Sequence, residues 1–223
     1  MKEVKDNFQA FLVEDAKFVS KEEYPLLEEW MISEEPPNKI IPFNKIKEVK
    51  NIEEYHICFY CRDEDFKRVK RNPRQYVNMF RRSKGIIGLD FSVHTDMPLI
   101  KQKSQLNDNL SLTYFFGKSG VSIIPNIRYG SEKTKKDYLE SVPKGSMIAF
   151  GTYGFIKTIK EQNVWLDVIL DIIEIVQPKG VIIYGSLPSD LKNWFRLYNV
   201  ELYIYPSYME TRMKEVKLNG NKR

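Results

Sequence analysis

The chain has 223 residues, 42 % of them hydrophobic and 13 % aromatic, with a mean hydropathy of -0.44 and a net charge of +5. That is enough apolar material for one large core, and the lack of a long uncharged apolar run excludes a membrane-spanning helix. The charged opening Met1-Lys-Glu-Val-Lys-Asp6 is unlike a signal peptide, so the expected location is the cytoplasm; mild basicity alone specifies no nucleic-acid partner.

Residues 1–35 mix Glu22, Glu23, Glu28, Glu29, Glu34 and Glu35 with Phe8, Phe11, Tyr24 and Trp30, and read as an acidic N-terminal arm with short amphipathic helices. Glu34-Glu-Pro-Pro-Asn38 breaks helical periodicity, because proline lacks an N–H and restricts the residue before it. A single α/β domain is expected over 36–210, with a flexible basic tail over 211–223.

Within that domain, short apolar strands are predicted at 39–43, 55–61, 85–90, 121–127, 147–152, 180–185 and 200–205. Helices are predicted at 73–83, 104–118, 132–141, 162–176 and 189–197. Strands apolar throughout suit a sheet covered on both faces, and the intervening helices supply the crossovers that parallel strands need. The fold class is therefore α/β, built of successive βα units around a mainly parallel sheet. Short strands in regular succession favour a partial barrel over an open sheet.

In such folds crevices open at the carboxyl ends of the strands. The residues there are polar: Asp90 and Ser92, then Asn126, Arg128 and Tyr129, then Thr152, then Tyr184 and Ser186. They are the candidate ligand-binding set, with Arg128 as an anion clamp and Asp90, His94 and Asp96 as candidate catalytic groups. Asp90 and Asp96 either share a divalent cation or divide acid and base roles. The competing reading has Thr95 or Asp96 capping the next helix and Asp90 accepting backbone hydrogen bonds. No phosphate loop, dinucleotide fingerprint or nucleophile elbow occurs, and no cofactor or metal is indicated.

The two cysteines, Cys58 and Cys61, fall in a strand pattern that points them to opposite faces, so they read as buried thiols and not as a redox pair or half a zinc site. The acid-free run 67–84 contains Lys67, Arg68, Lys70, Arg71, Arg74, Arg81 and Arg82, with an amphipathic helix expected after Pro73. Its face suits phosphates, DNA or a host protein, a solvated surface, or the acidic arm of the same chain.

Leu89-Asp-Phe-Ser-Val-His-Thr-Asp-Met-Pro98, Gly120-Val-Ser-Ile-Ile-Pro125, Pro143-Lys-Gly-Ser146 and Ile183-Tyr-Gly185 resemble the blocks of the DUF4417 family of uncharacterised bacterial, prophage and plasmid proteins. The resemblance covers 63–205. It implies a phage or mobile-element protein of the bacterial cytoplasm and assigns no activity. The chain departs from the family pattern at Tyr129, where tryptophan is usual, and in Asn107–Tyr114, which lacks the family's arginines. Two functions follow as expectations: a polar ligand-binding or catalytic cleft for a phosphate-containing or nucleotide-like small molecule, and a non-enzymatic binder of DNA or a host protein through 67–84.

Overall fold

Residues 9–152 and 159–213 are described by a computed structural model of the chain, with side chains omitted for 159–164. A two-residue antiparallel ladder, β1 (Phe18–Val19) with β2 (Tyr24–Pro25), precedes the main strands. Those are β3 (Lys39–Pro42), β4 (Tyr55–Cys58), β5 (Gly85–Ile87), β6 (Ile123–Ile124), β7 (Met147–Gly151), β8 (Gly180–Tyr184) and β9 (Glu201–Tyr205). The helices are α1 (Asp63–Arg71), α2 (Val77–Arg82), α3 (Leu99–Lys118), α4 (Glu132–Leu139), α5 (Ile159–Ile175) and α6 (Ser189–Leu197).

All pairings among β3 to β9 are parallel and follow chain order, β3-β4-β5-β6 in one ladder and β7-β8-β9 in another. A parallel bridge between Asn126 and Ala149 joins the two. The class is α/β, as the alternation predicts.

The sheet curls. Tyr60, just past β4, stacks on Tyr184 at the end of β8 with ring centroids 5.3 Å apart. Four strand spacings of a flat sheet would separate them by about 19 Å. Alternate residues Cys58, Ile87, Ile124, Ala149 and Ile182 accordingly form one buried cluster on the concave side. The residues between them face outward: Ile57, Ile86 and Ile123 pack with Phe66 of α1, Phe80 of α2 and Phe116 of α3. Ile148, Phe150, Val181 and Ile183 pack with Leu139 of α4, Ile172 of α5 and Phe195 of α6. At the seam between β9 and β3, the Tyr205 hydroxyl donates to the Pro37 carbonyl and the Tyr208 hydroxyl to Glu48.

The N-terminal segment is built into this body. Over residues 9–35 its local structure is 3-10 turns at Ala10–Val13 and Glu29–Met31 plus the β1-β2 ladder. Leu12, Tyr24, Leu27 and Met31 are buried. Its acids meet lysines of α3: Glu14 and Asp15 pair with Lys118, and Glu22 with Lys103. Ile32 bridges Ile123 and the Ser33 N–H donates to the Ile123 carbonyl at 2.7 Å, on the edge of β6 away from β5. That contact parts β6 from β7 at their lower ends, and the two meet only at Asn126 and Ala149.

All seven strands are shorter than predicted, and for β5 and β6 the reason is visible. Beyond Ile87 the backbone is taken over by α3 side chains: the Leu89 N–H donates to Thr113 Oγ1, and Phe91 exchanges hydrogen bonds with the Asn109 amide. Past Ile124 comes Pro125, which has no N–H to donate. The helix expected after Pro73 is a 3-10 turn at Pro73–Tyr76 running into α2, and it is separated from α1 by Asn72, which precedes Pro73 and adopts a non-helical φ of -139°. Cys58 and Cys61 are free thiols, the first fully buried. Residues 208–213 are helical; Tyr153-Gly154 and the tail beyond 213 lie outside the described residues.

Candidate functional site

The chain leaving β6 crosses the carboxyl ends of β5 and β7, and this crossing gathers the predicted rim. Asn126 is its hub. The amide Nδ2 donates to Asp90 Oδ1 at 2.8 Å and to the Leu89 carbonyl at 3.3 Å. Its Oδ1 accepts from the Tyr60 hydroxyl at 2.9 Å, and its backbone carbonyl accepts from the Tyr138 hydroxyl of α4 at 2.6 Å. Asp90 Oδ1 and the Leu89 carbonyl both accept, so the amide turns Nδ2 to them and leaves Oδ1 for the Tyr60 hydroxyl.

Tyr60 is closely packed. It stacks on Tyr184, and a Cβ at Gly151 would lie 2.6 Å from its ring, so glycine is needed at that approach. Asp90 is paired with Arg128, Nε to Oδ1 at 3.8 Å, and the two side chains are 13 % and 19 % exposed. Burial pushes the Asp90 carboxyl above its ordinary range, opposed by the Arg128 charge and the Asn126 hydrogen bond.

Beside this network lies a cleft of about 520 Å³, at the carboxyl ends of β6 and β7. Its described walls are the Val93–Asp96 loop, Ile127, Arg128 and Tyr129 after β6, Phe150 and Gly151 of β7, and Trp165 and Val168 of α5. Phe150 and Trp165 meet edge to face at 5.7 Å. The Tyr129 hydroxyl is buried with no hydrogen-bond partner among the described residues, and burial raises its pKa.

Gln102 of α3, 3 % exposed, ties the two sides of the cleft together. Its Nε2 donates to the carbonyls of Met97 at 2.8 Å and Thr95 at 3.3 Å, and its Oε1 accepts from the Ser131 N–H at 2.8 Å. The Val93–Asp96 loop is anchored from the other end by Asp63, the first residue of α1, which accepts from Ser92 Oγ at 2.9 Å and from the Ser92 N–H at 3.1 Å.

The predicted residues therefore fall into three groups. Asp90, Asn126 and Arg128 form one network, and Arg128, Tyr129, His94 and Asp96 wall the cleft. His94 and Asp96 are exposed, and α3 begins after Pro98 without a side-chain cap, so neither Thr95 nor Asp96 caps it. Asp90 itself is absent from the cleft wall and reaches it through Arg128. Ser92 is bound to Asp63, and Thr152 donates to the Ser186 carbonyl at 2.8 Å, tying the ends of β7 and β8. Tyr184 lines a second cavity of about 220 Å³ with Tyr60, Cys61 and Tyr208, and Ser186 is exposed in a shallow pocket beside Lys192. Among the described residues, no group of three His, Cys, Asp or Glu side chains is placed to hold a metal ion.

Of the seven candidate binding cations in the basic run, five make side-chain contacts within the chain. Lys67 pairs with Glu64 and Lys70 with Asp108; Arg68 lies over Phe43, Arg74 over Phe11 at 4.0 Å, and Arg81 donates to the Ser119 carbonyl. Arg71 and Arg82 are exposed.

Tyr60, Asp63, Gln102, Phe150 and Trp165 were not in the sequence-predicted set. Tyr60 and Asp63 carry the same signal as Asp90, since they follow a strand end directly. Gln102 and Trp165 sit inside helices and carry no such signal.

A family profile described as a domain of unknown function, DUF4417, matches residues 16–201. This is wider than the 63–205 span of the resemblance and takes in much of the N-terminal segment, in keeping with its contacts to α3 and β6. The Gene 1 protein of Mycobacterium phage L5 is 22 % identical over 162 residues, covering 73 % of this chain and 69 % of that protein. No solved structure matches. No helix among the described residues is long and apolar enough to cross a membrane. With a profile match over most of its length and a phage relative, the chain belongs to the DUF4417 family.

Proposed function

We propose that the cleft at the carboxyl ends of β6 and β7 binds a phosphate-containing, nucleotide-like ligand, with Arg128 as the anion clamp and Asp90 as the buried acid–base group behind it. One observation carries this reading: Arg128 walls a 520 Å³ cleft whose other described walls include Tyr129, Phe150 and Trp165. A guanidinium suits phosphate oxygens, and aromatic rings suit a nucleobase. The volume is in the range of small-molecule sites. His94 and Asp96 on the exposed loop stand where they reach a bound ligand and can move protons at it. Enzymatic turnover is a further part of the proposal, and Asp90 is the residue on which it depends.

Tryptophan fluorescence titrated with AMP tests the reading. Binding quenches the signal, Trp165→Phe removes most of the change, and Arg128→Gln weakens affinity at least tenfold, the loss of a charge-assisted contact. Equal affinity in wild type and Arg128→Gln would contradict it.

A further inference from the structure

The cleft reading above is the premise here; the question is what happens to Asp90 when the cleft fills. We propose that an anion bound at Arg128 draws a proton from solvent onto Asp90, so that the carboxyl behind the filled cleft holds its proton to higher pH than the one behind the empty cleft.

The geometry makes Arg128 common to both partners: its Nε lies 3.8 Å from Asp90 Oδ1, and the same side chain walls the cleft. An anion in the cleft takes up charge that otherwise serves Asp90. No second cation among the described residues replaces it. The groups acting on Asp90 from each surrounding element are Asp63 of α1, Tyr60, Cys58 and Cys61 of the β4 segment, Tyr138 of α4, and Arg128 and Asn126 after β6. Asp63 is an acid. Burial raises the pKa of both phenols and both thiols, so they stay neutral. Arg128 is thus the one cation acting on Asp90 among the described residues.

Asn126 cannot turn to compensate. Its Nδ2 also donates to the Leu89 carbonyl, which can only accept, so Nδ2 continues to donate to Asp90 Oδ1 and the incoming proton resides on Oδ2. The outcome is a carboxylic acid loaded by the ligand itself, available to protonate a leaving group.

Sulfate tests this, because it does not titrate between pH 5 and 8 and its own protonation cannot mimic the effect. Calorimetry of sulfate binding is run in buffers of low and high ionisation enthalpy across that range. The expected result is uptake of up to about one proton per sulfate, with affinity weakening by as much as about tenfold per pH unit as pH rises. Both effects vanish in Asp90→Asn, which still binds sulfate, and both persist in His94→Gln. Sulfate binding without proton uptake in the wild type, which needs no variant, would overturn the inference. So would a linkage that disappears with His94 and survives in Asp90→Asn. In either case sulfate still binds through Arg128 and the cleft reading stands. If wild type binds sulfate no better than Arg128→Gln, the cleft reading fails and the inference goes with it.

Discussion

Arg128 lies 3.8 Å from Asp90 while walling the cleft, so one guanidinium serves a buried carboxylate and an open binding space at once. Such a shared charge makes stability, proton binding and ligand binding measurable against one another.

Asp90→Asn separates function from stability. Burial raises the Asp90 pKa in the folded protein above its unfolded value, so the folded state holds the proton to higher pH than the unfolded chain does. The carboxylate therefore lowers stability as pH rises through the folded pKa, and contributes most favourably below the unfolded pKa of about 3.9. Thermal melts at pH 7 should show Asp90→Asn at or above the wild-type Tm, by up to about 4 °C. The advantage should shrink in acid. A loss of more than about 5 °C at pH 7 would mean that the carboxylate holds the rim together.

His56 sets the acid limit. It is 2 % exposed on β4, and neither ring nitrogen has a hydrogen-bond partner among the described residues. Burial, with a smaller contribution from Lys84, lowers its pKa to about 4. The unfolded chain binds a proton below about pH 6.5 and the folded one does not, so stability is full above that pH and falls towards pH 4. The loss is on the order of 3 kcal/mol. Urea denaturation of His56→Leu should show a flatter profile between pH 6.5 and 4, and an unchanged slope would count against the assignment.

Gly151→Ala should act on the network without touching it. The new Cβ would meet the Tyr60 ring at 2.6 Å, pushing it off Tyr184 and away from the Asn126 amide. A destabilisation of about 1–3 kcal/mol is expected from the overpacking, together with weaker AMP binding. Tyr60→Phe keeps the stack and removes only the hydrogen bond, at about 1 kcal/mol. Equal stability of Gly151→Ala and wild type would show that the ring has room to move.

Gln102→Leu should loosen the cleft. Its loss leaves the Ser131 N–H and the Met97 carbonyl without their partners, at a cost of about 1–3 kcal/mol. Hydrogen exchange should quicken at Ser131, and AMP affinity should fall although Gln102 is not among the cleft-lining residues. Unchanged exchange there would contradict the clamp.

The α/β class was legible because apolar runs and crossover helices alternate, and the span of α6 matches the predicted 189–197 residue for residue. The strand-end rule located Asp90, Asn126 and Arg128 together. The parting of β6 from β7 at their amino ends was hidden, because it goes with Ile32 and Ser33 lying against β6, a contact between residues about ninety apart in sequence. The short β5 was equally hidden, since it ends where Thr113 and Asn109 of α3 take over the backbone. Helix α1 escaped the reading because its charged surface masks the two buried residues, Phe66 and Val69, that fix it.

A crystal structure of the protein grown with AMP tests the central claim most directly. The account predicts phosphate oxygens within hydrogen-bond reach of Arg128 and the base against Trp165 or Tyr129. A ligand bound on the Arg71 and Arg82 surface, with the cleft beside Arg128 left unfilled, would contradict it.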